Sequence, residues 1–342
     1  MHHFTKLTFP LFWGLILLPF IGMAQLTEED EQFIRSYMAE NQLPGLSIAI
    51  AEGQALVYVK AFGVKDQDTQ VPLTPQTPMQ AASVSKSLAS ILALRYAQSG
   101  VLDLDAPINQ YLSSWKLAPY KKDGNSVPTT RQLLNHTGGT NLSGFLGFRP
   151  SKRNIPSLLE VLKGKHVHPW ESGGIKVKYL PGEAFHYSGG GYCVVEQSLQ
   201  DLSGKSLQEQ MSEQVFGLAG MERSYFSYQL SEDQIGEIST GHSKKGKPIK
   251  GQYHVYPQQA AAGLWTTPSD LVQFLMAIQE SAAQPAEDNL LRSSSVEELC
   301  SIPLLNGGAK SFYNFGFGLL TDSDQQKVRA IRKTGANWGF TS

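Results

Sequence analysis

Only two cysteines, Cys193 and Cys300, occur in 342 residues, too few to serve as a disulfide framework in a chain long enough to bury its own core. Cys193 sits in the apolar stretch 192–195, so two buried thiols are expected rather than a bridge. There is no excess of either charge. With 29 Lys and Arg against 30 Asp and Glu, nothing favours nucleic acid or an anionic membrane surface as partner. Internal repeats and low-complexity segments are absent. No Gly-x-Ser-x-Gly elbow is present, which excludes the α/β-hydrolase route to a reactive serine. Ser203-Gly204-Lys205-Ser206 lacks the upstream glycine of a phosphate-binding loop and follows a helical pattern rather than a strand. His166-Val167-His168 begins like a zinc motif, but Trp170 stands where an acidic ligand is needed and Pro169 marks a loop. No metal or other cofactor is implied.

One long apolar run exists, at the N-terminus. Residues 1–6 carry a single lysine, 7–21 are apolar, and Gly22-Met23-Ala24 places small residues before a cleavage point, the pattern of an export signal. The run approaches the ~20 residues that span a bilayer. Pro10, Pro19 and the Gly-x-Ala ending favour cleavage after Ala24 over a retained anchor. No cysteine follows at once, so a lipid-modified N-terminus is not expected. Residues 25–342 then form the mature chain, with 28 basic against 30 acidic residues. Its expected location is periplasmic or extracellular, without stable insertion in the membrane.

Hydrophobic periodicity divides the mature chain into strand-rich ends and a helical middle. A helix over 28–41 carries Phe33, Ile34, Tyr37 and Met38 on one face, and Pro44-Gly45 ends it. The runs 46–51 and 55–62 flank Glu52-Gly53-Gln54 as a hairpin. Helices are predicted over 83–98, 130–136, 190–202, 207–218 and 270–278, the last opened by Thr267-Pro268-Ser269-Asp270. Strands return at 315–320 and 327–333. Strands at both ends with helices between predict one α+β domain over 25–342, its antiparallel sheet built from both chain ends. The α/β half would comprise about 25–80 and 255–342, the helical half about 81–254.

The chemistry lies in Ser83-Val84-Ser85-Lys86. On a helix, residues three apart share a face, so the Ser83 hydroxyl and the Lys86 amine can meet. The helix start adds a favourable dipole. Serine is a weak nucleophile until a base takes its proton, and a desolvated lysine, or a tyrosine held between two amines, can serve. Tyr187 with Lys86 and Lys333 is such an arrangement. Lys333-Thr334-Gly335 supplies a cation, a hydroxyl and a position where substrate approaches the backbone closely. A second Ser-x-x-Lys, Ser113-Ser114-Trp115-Lys116, sits in a Trp- and Pro-containing segment without helical periodicity and reads as a solvated loop.

Taken in chain order with Leu133-Leu134-Asn135-His136-Thr137-Gly138-Gly139, Phe185-His186-Tyr187-Ser188-Gly189 and Ala262-Gly263-Leu264-Trp265-Thr266-Thr267-Pro268, these motifs resemble the serine β-lactamase and penicillin-binding hydrolase superfamily. The similarity is to its class C β-lactamase-related branch, and it covers nearly all of 30–342. The resemblance implies a β-lactamase/transpeptidase-like fold with no cofactor, Ser83 as nucleophile, Lys86 and Tyr187 as the proton-transfer pair, and Lys333 and Thr334 as electrostatic and binding groups. It implies the N–H groups of Ser83 and Ala336 as the oxyanion hole, with Gly335 beside the substrate. Gly189 stands where this branch often has an asparagine whose amide grips substrate; Asn337 offers an amide nearby. His136 and His186 read as structural, with His186 expected behind Tyr187. Residues 143–183, with Phe145, Phe148, Trp170 and Tyr179, are expected to line or cover the pocket. Their Lys152, Arg153, Lys163, Lys165, Lys176 and Lys178 are expected to form a solvated face.

The resemblance also implies two more central strands and a C-terminal helix beyond Lys333-Thr334-Gly335, whereas seven residues follow Gly335 here. The expectation is a longer natural chain and, in this one, unpaired sheet edges. Two functional classes follow: a serine hydrolase acting on β-lactam, D-amino-acid peptide or ester substrates, or a non-catalytic binding or sensor protein that keeps the fold.

Overall fold

The computed structural model describes residues 26–164, 173–284 and 286–342. The leader at 1–24, and Lys165, His166, His168 and Trp170, lie outside the described residues. Helix α1 (Glu28–Glu40) starts at Thr27, whose hydroxyl accepts the Asp30 N–H while Asp30 returns a bond to the Thr27 N–H. The hairpin β1 (Gly45–Glu52) and β2 (Ala55–Gly63) follows in antiparallel register, with a bulge at Ile50/Ala51. Strand β3 (Met79–Ala82) then turns into α2 (Ser85–Gln98).

Helix α2 is buried on every side, and this makes it the axis of the molecule. Leu88, Ile91, Leu92 and Leu94 meet the core, and its buried serines are all hydrogen-bonded. Ser87 donates to the Gly316 carbonyl at 3.1 Å, and Ser90 pairs with the Tyr192 hydroxyl at 2.9 Å.

The helical middle contains α3 (Thr130–Leu134), α4 (Leu158–Leu162), α5 (Gly189–Ser203) and α6 (Leu207–Met211). A wide π turn, Ser212–Phe216, continues α6. Next come β4 (Tyr225–Phe226), α7 (Glu232–Glu237), α8 (Gln259–Ala262), β5 (Leu264–Thr266), α9 (Pro268–Ala283) and α10 (Ser293–Leu299). Thr129, Ser157, Ser206 and Ser231 cap their helices reciprocally with Gln132, Glu160, Glu209 and Gln234. Thr267 and Pro268 open α9 as the sequence predicts. Several predicted helices differ in extent: α3 is two residues shorter, α9 is seven longer, two at its start and five at its end, and the one expected over 207–218 gives up its regular spacing at Ser212.

The chain ends in β6 (Tyr313–Asn314), β7 (Phe317–Thr321), β8 (Val328–Arg332), β9 (Ala336–Asn337) and β10 (Phe340–Thr341). All ladders are antiparallel and small: β1–β2, β3–β5–β4, β6–β7–β8 and β9–β10. The α+β class and the strands at both ends are therefore as expected. Among the described residues no ladder bond joins the N-terminal hairpin to β8. Strand β8 keeps its outer edge half-exposed. The main core surrounds α2, α5 and α9 and reaches Phe315 and Phe317; a smaller one joins Ile238, Tyr253, Val255, Trp265 and Phe340. No disulfide joins Cys193 to Cys300. Among the described residues no helix is long and apolar enough to cross a membrane, and no cluster of metal-ligating side chains occurs.

Candidate active site

Ser83 lies at the turn from β3 into α2. Ala82 before it adopts a left-handed backbone, φ 49°, which throws the chain sharply from strand to helix and leaves Ser83 at the surface of the turn. The Ser85 hydroxyl fixes that turn from inside, donating to the Ala82 carbonyl at 2.5 Å and accepting the Leu264 N–H at 3.0 Å. One turn into α2, the Lys86 amine donates to the Ser83 hydroxyl at 3.0 Å and to the Ala261 carbonyl at 2.6 Å. Lys86 is 1 % exposed and has no carboxylate partner among the described residues. Burial therefore dominates and lowers its pKa to about 7, so a large fraction of the amine is neutral near neutral pH.

Tyr187 is carried on the loop that enters α5. Burial pushes its pKa up, partly offset by hydrogen bonds with the Ser83 and Tyr313 hydroxyls. The Lys86 amine lies 5.2 Å from its ring centroid, and the Lys333 amine is 3.3 Å from its hydroxyl. Lys333 also hydrogen-bonds Tyr313, whose hydroxyl donates to the Gly316 carbonyl at 2.8 Å. Burial first, and then the Lys86 charge, depress Lys333 to about 6.

Lys333-Thr334-Gly335 forms the extended link between β8 and β9 rather than a ladder strand of its own. Gly335 and Ser342 exchange two backbone bonds, 2.8 and 2.9 Å, so Ala336 opposite Thr341 is a pair without ladder bonds, and its N–H points away from β10. Glycine is required at 335: a Cβ there would stand 2.3 Å from the Ala81 carbonyl oxygen and 2.9 Å from the Ser83 nitrogen. Thr334 is exposed beside the site. The structure thus brings Ser83, Lys86, Tyr187, Lys333, Thr334, Gly335 and Ala336 together from three separate segments.

Gly189 is buried at the start of α5, and a Cβ there would meet the Phe145 ring at 2.9 Å and the Ser143 carbonyl at 3.2 Å. Residue 145 occupies the direction in which a side chain at 189 would grow. Asn337 does not substitute for the missing amide, because its NH₂ donates to Gln80 and to the Ala262 carbonyl, both at 2.9 Å. Of the other aromatics at 143–183, Phe148 lies under Lys152 and Tyr179 stacks on His186 at 3.8 Å. Ser113 and Lys116 form no couple: Lys116 donates to the Asn109 and Leu112 carbonyls, and Asp201 takes the Ser113 N–H.

The histidine behind Tyr187 is His136, not His186. Its ring centroid lies 4.1 Å from that of Tyr187, its Nδ1 accepts the Ser188 N–H at 3.0 Å, and its carbonyl accepts the His186 N–H at 2.7 Å. The bond to Nδ1 fixes the tautomer, with the proton on Nε2. Burial and the two lysines hold the ring neutral, its pKa far below the usual histidine value. Sequence pattern points only to its position before Thr137-Gly138-Gly139. Tyr313 gives no sequence signal beyond its place before a glycine-containing turn.

A family model described as Beta-lactamase matches residues 31–342. The chain belongs to that family. Penicillin-binding protein 4* of Bacillus subtilis is 24% identical over 315 residues, which are 89% of this chain and 65% of that protein. The mouse mitochondrial serine beta-lactamase-like protein LACTB is 30% identical over 118 residues, 34% of this chain and 21% of that one. The chain therefore spans from about a fifth to just under two thirds of these relatives. Among solved structures, the octameric penicillin-binding protein homologue of Pyrococcus abyssi superposes with TM-score 0.67 at 23% identity, over 90% of this chain and 67% of that one. D-alanine carboxypeptidase AmpC of Burkholderia cenocepacia gives 0.65 at 20%, over 91% and 86%. These likenesses fix the fold as the one shared by penicillin-binding proteins and serine β-lactamases.

Proposed function

We propose that the protein is an exported serine hydrolase working through an acyl-enzyme at Ser83. The carrying observation is the buried Lys86 amine, 3.0 Å from the Ser83 oxygen with its pKa lowered to about 7. Neutral Lys86 takes the Ser83 proton as Oγ attacks the substrate carbonyl. The resulting oxyanion sits between the N–H groups of Ser83 and Ala336, each such donor contributing ~3–4 kcal/mol. Tyr187, kept protonated by its raised pKa, donates to the leaving group, and the proton held on Lys86 passes to the Tyr187 oxygen, which restores both groups. Water then attacks the ester with the same groups acting in reverse. Lys333 and Thr334 face the substrate carboxylate or carbonyl. The substrate class is β-lactam, D-amino-acid peptide or small ester.

Intact-mass analysis after incubation with a penicillin or an active-serine phosphonate tests this. A single adduct on the parent, absent from Ser83→Ala, supports the reading, and its decay with turnover of a hydrolysable substrate completes it. Equal labelling of Ser83→Ala removes Ser83 from the chemistry, and a parent that binds penicillin reversibly without an adduct leaves a binding protein instead.

A further inference from the structure

Glu196 lies on α5, on the core side, 1 % exposed. The chemistry above makes no use of it. An acid is not buried without partners, and those of Glu196 are informative. Its Oε2 accepts the Ala260 N–H at 2.8 Å and the Gln259 N–H also bonds to the carboxyl; Gln200 donates to Oε1 at 3.3 Å. Gln259 and Ala260 open α8, and Gln258 before them provides no side-chain cap. The unsatisfied N–H groups of that helix start are thus capped from another helix, 64 residues away.

The carbonyl end of the same turn faces the reaction. Ala261 presents its oxygen to the Lys86 amine at 2.6 Å, and Ala262 presents its own to Asn337 at 2.9 Å. Leu264, immediately after the turn, donates to Ser85 at 3.0 Å. Residues 259–264 are a short bridge with the carboxyl of Glu196 at one end and Lys86, Ser85 and Asn337 at the other. We infer that Glu196 is a positioning residue: by capping α8 it holds the Ala261 carbonyl on Lys86, and so sets where that amine points and how readily it accepts the Ser83 proton. Burial pushes the Glu196 carboxyl up to about 8, with the two N–H groups pulling the other way. The titratable groups that face Lys86 itself are Lys333, Tyr187, Tyr192, His136 and Cys193.

This inference rests on acylation at Ser83 as proposed above, so the test carries a readout that does not need it. Parent, Glu196→Ala, Glu196→Gln and Leu199→Ala are compared at a temperature where all are folded. Leu199, buried on the same helix, controls for plain loss of packing. Acylation by an active-serine phosphonate is followed from pH 6 to 10 by mass, and the Lys86 Cε resonance is titrated by ¹³C NMR. Displacing a base by an ångström loses about 100-fold in rate. Glu196→Ala is expected to lose that much and to move the midpoint of the pH profile. Glu196→Gln, which keeps an oxygen acceptor, recovers most of the rate, and Leu199→Ala keeps both rate and midpoint. A Glu196→Ala protein that matches Leu199→Ala in rate and midpoint overturns the inference. If the parent itself is never labelled, the acyl-enzyme reading fails first. The Lys86 titration then decides: a midpoint moved in Glu196→Ala alone supports the positioning role, and an unmoved one overturns it.

Discussion

The two sides of the site are built differently. Lys86 belongs to a helix buried all round and Ser83 to the turn that enters it, with Tyr187 beside them on the loop into α5, whose first half is wholly buried. Lys333 to Ala336 belong to a link between a half-exposed edge strand and a two-residue hairpin, held by the Gly335–Ser342 pair and by phenolic contacts. The first side is fixed by packing, where a shifted side chain leaves a void. The second is fixed by a few directional bonds, which break at little cost to the rest. Chemistry and stability should therefore separate across the site.

The largest break is Lys86→Ala. Loss of a positioned base removes about 10²–10⁴-fold from the rate, so acylation should nearly vanish while circular dichroism stays that of the parent. Near-normal labelling excludes Lys86 as the base. On the packed side Leu92→Ala, at a position with 0 % exposure, should lower the unfolding free energy by about 2–5 kcal/mol in urea titration. On the open side Gly335→Ala must push the link off the Ser83 turn. It should slow acylation by about 100-fold with an almost unchanged urea midpoint; a large stability loss with normal acylation would reverse the contrast. Leu320→Ala, 42 % exposed on β7, should change stability by no more than about 0.5 kcal/mol.

The pH dependence sharpens the same distinction. Acylation should rise with pH through a midpoint near 7, where Lys86 loses its proton, and level off above it. For stability the sign is set by a folded pKa below the ordinary 10.5: the folded state binds fewer protons than the unfolded chain, so stability is lost as pH falls from 10.5 toward 7. Lys86→Met removes that burden, and its stability advantage over the parent should shrink as pH rises across the same interval. An advantage that grows with pH would refute the buried neutral amine.

Much of the site is legible in the sequence because its reacting groups sit in local motifs. Ser83 and Lys86 are one helical turn apart, and Tyr187 precedes a glycine run that opens a helix. The supports are not legible, because they act across the fold: Ala261 meets Lys86 over 175 residues and Glu196 meets Ala260 over 64. Only Glu196 carries a readable hint, an acid set among Val194, Val195 and Leu199 in an apolar helix. His136 and His186 were separable only by structure, since both stand beside motif residues and the backbone decides which ring turns inward. The strands at both ends are legible from alternation, but pairing between the two ends is a long-range property that local pattern does not specify.

Phe145 and Gly189 carry a consequence for how this pocket can change. With the ring 2.9 Å from where a Cβ would stand, no side chain can be added at 189 while Phe145 stays in place. Giving the site an amide there requires two substitutions, and the first, made alone at 189, meets a clash. The pair is epistatic, so variants that reach for a new acyl group must pass through position 145 first.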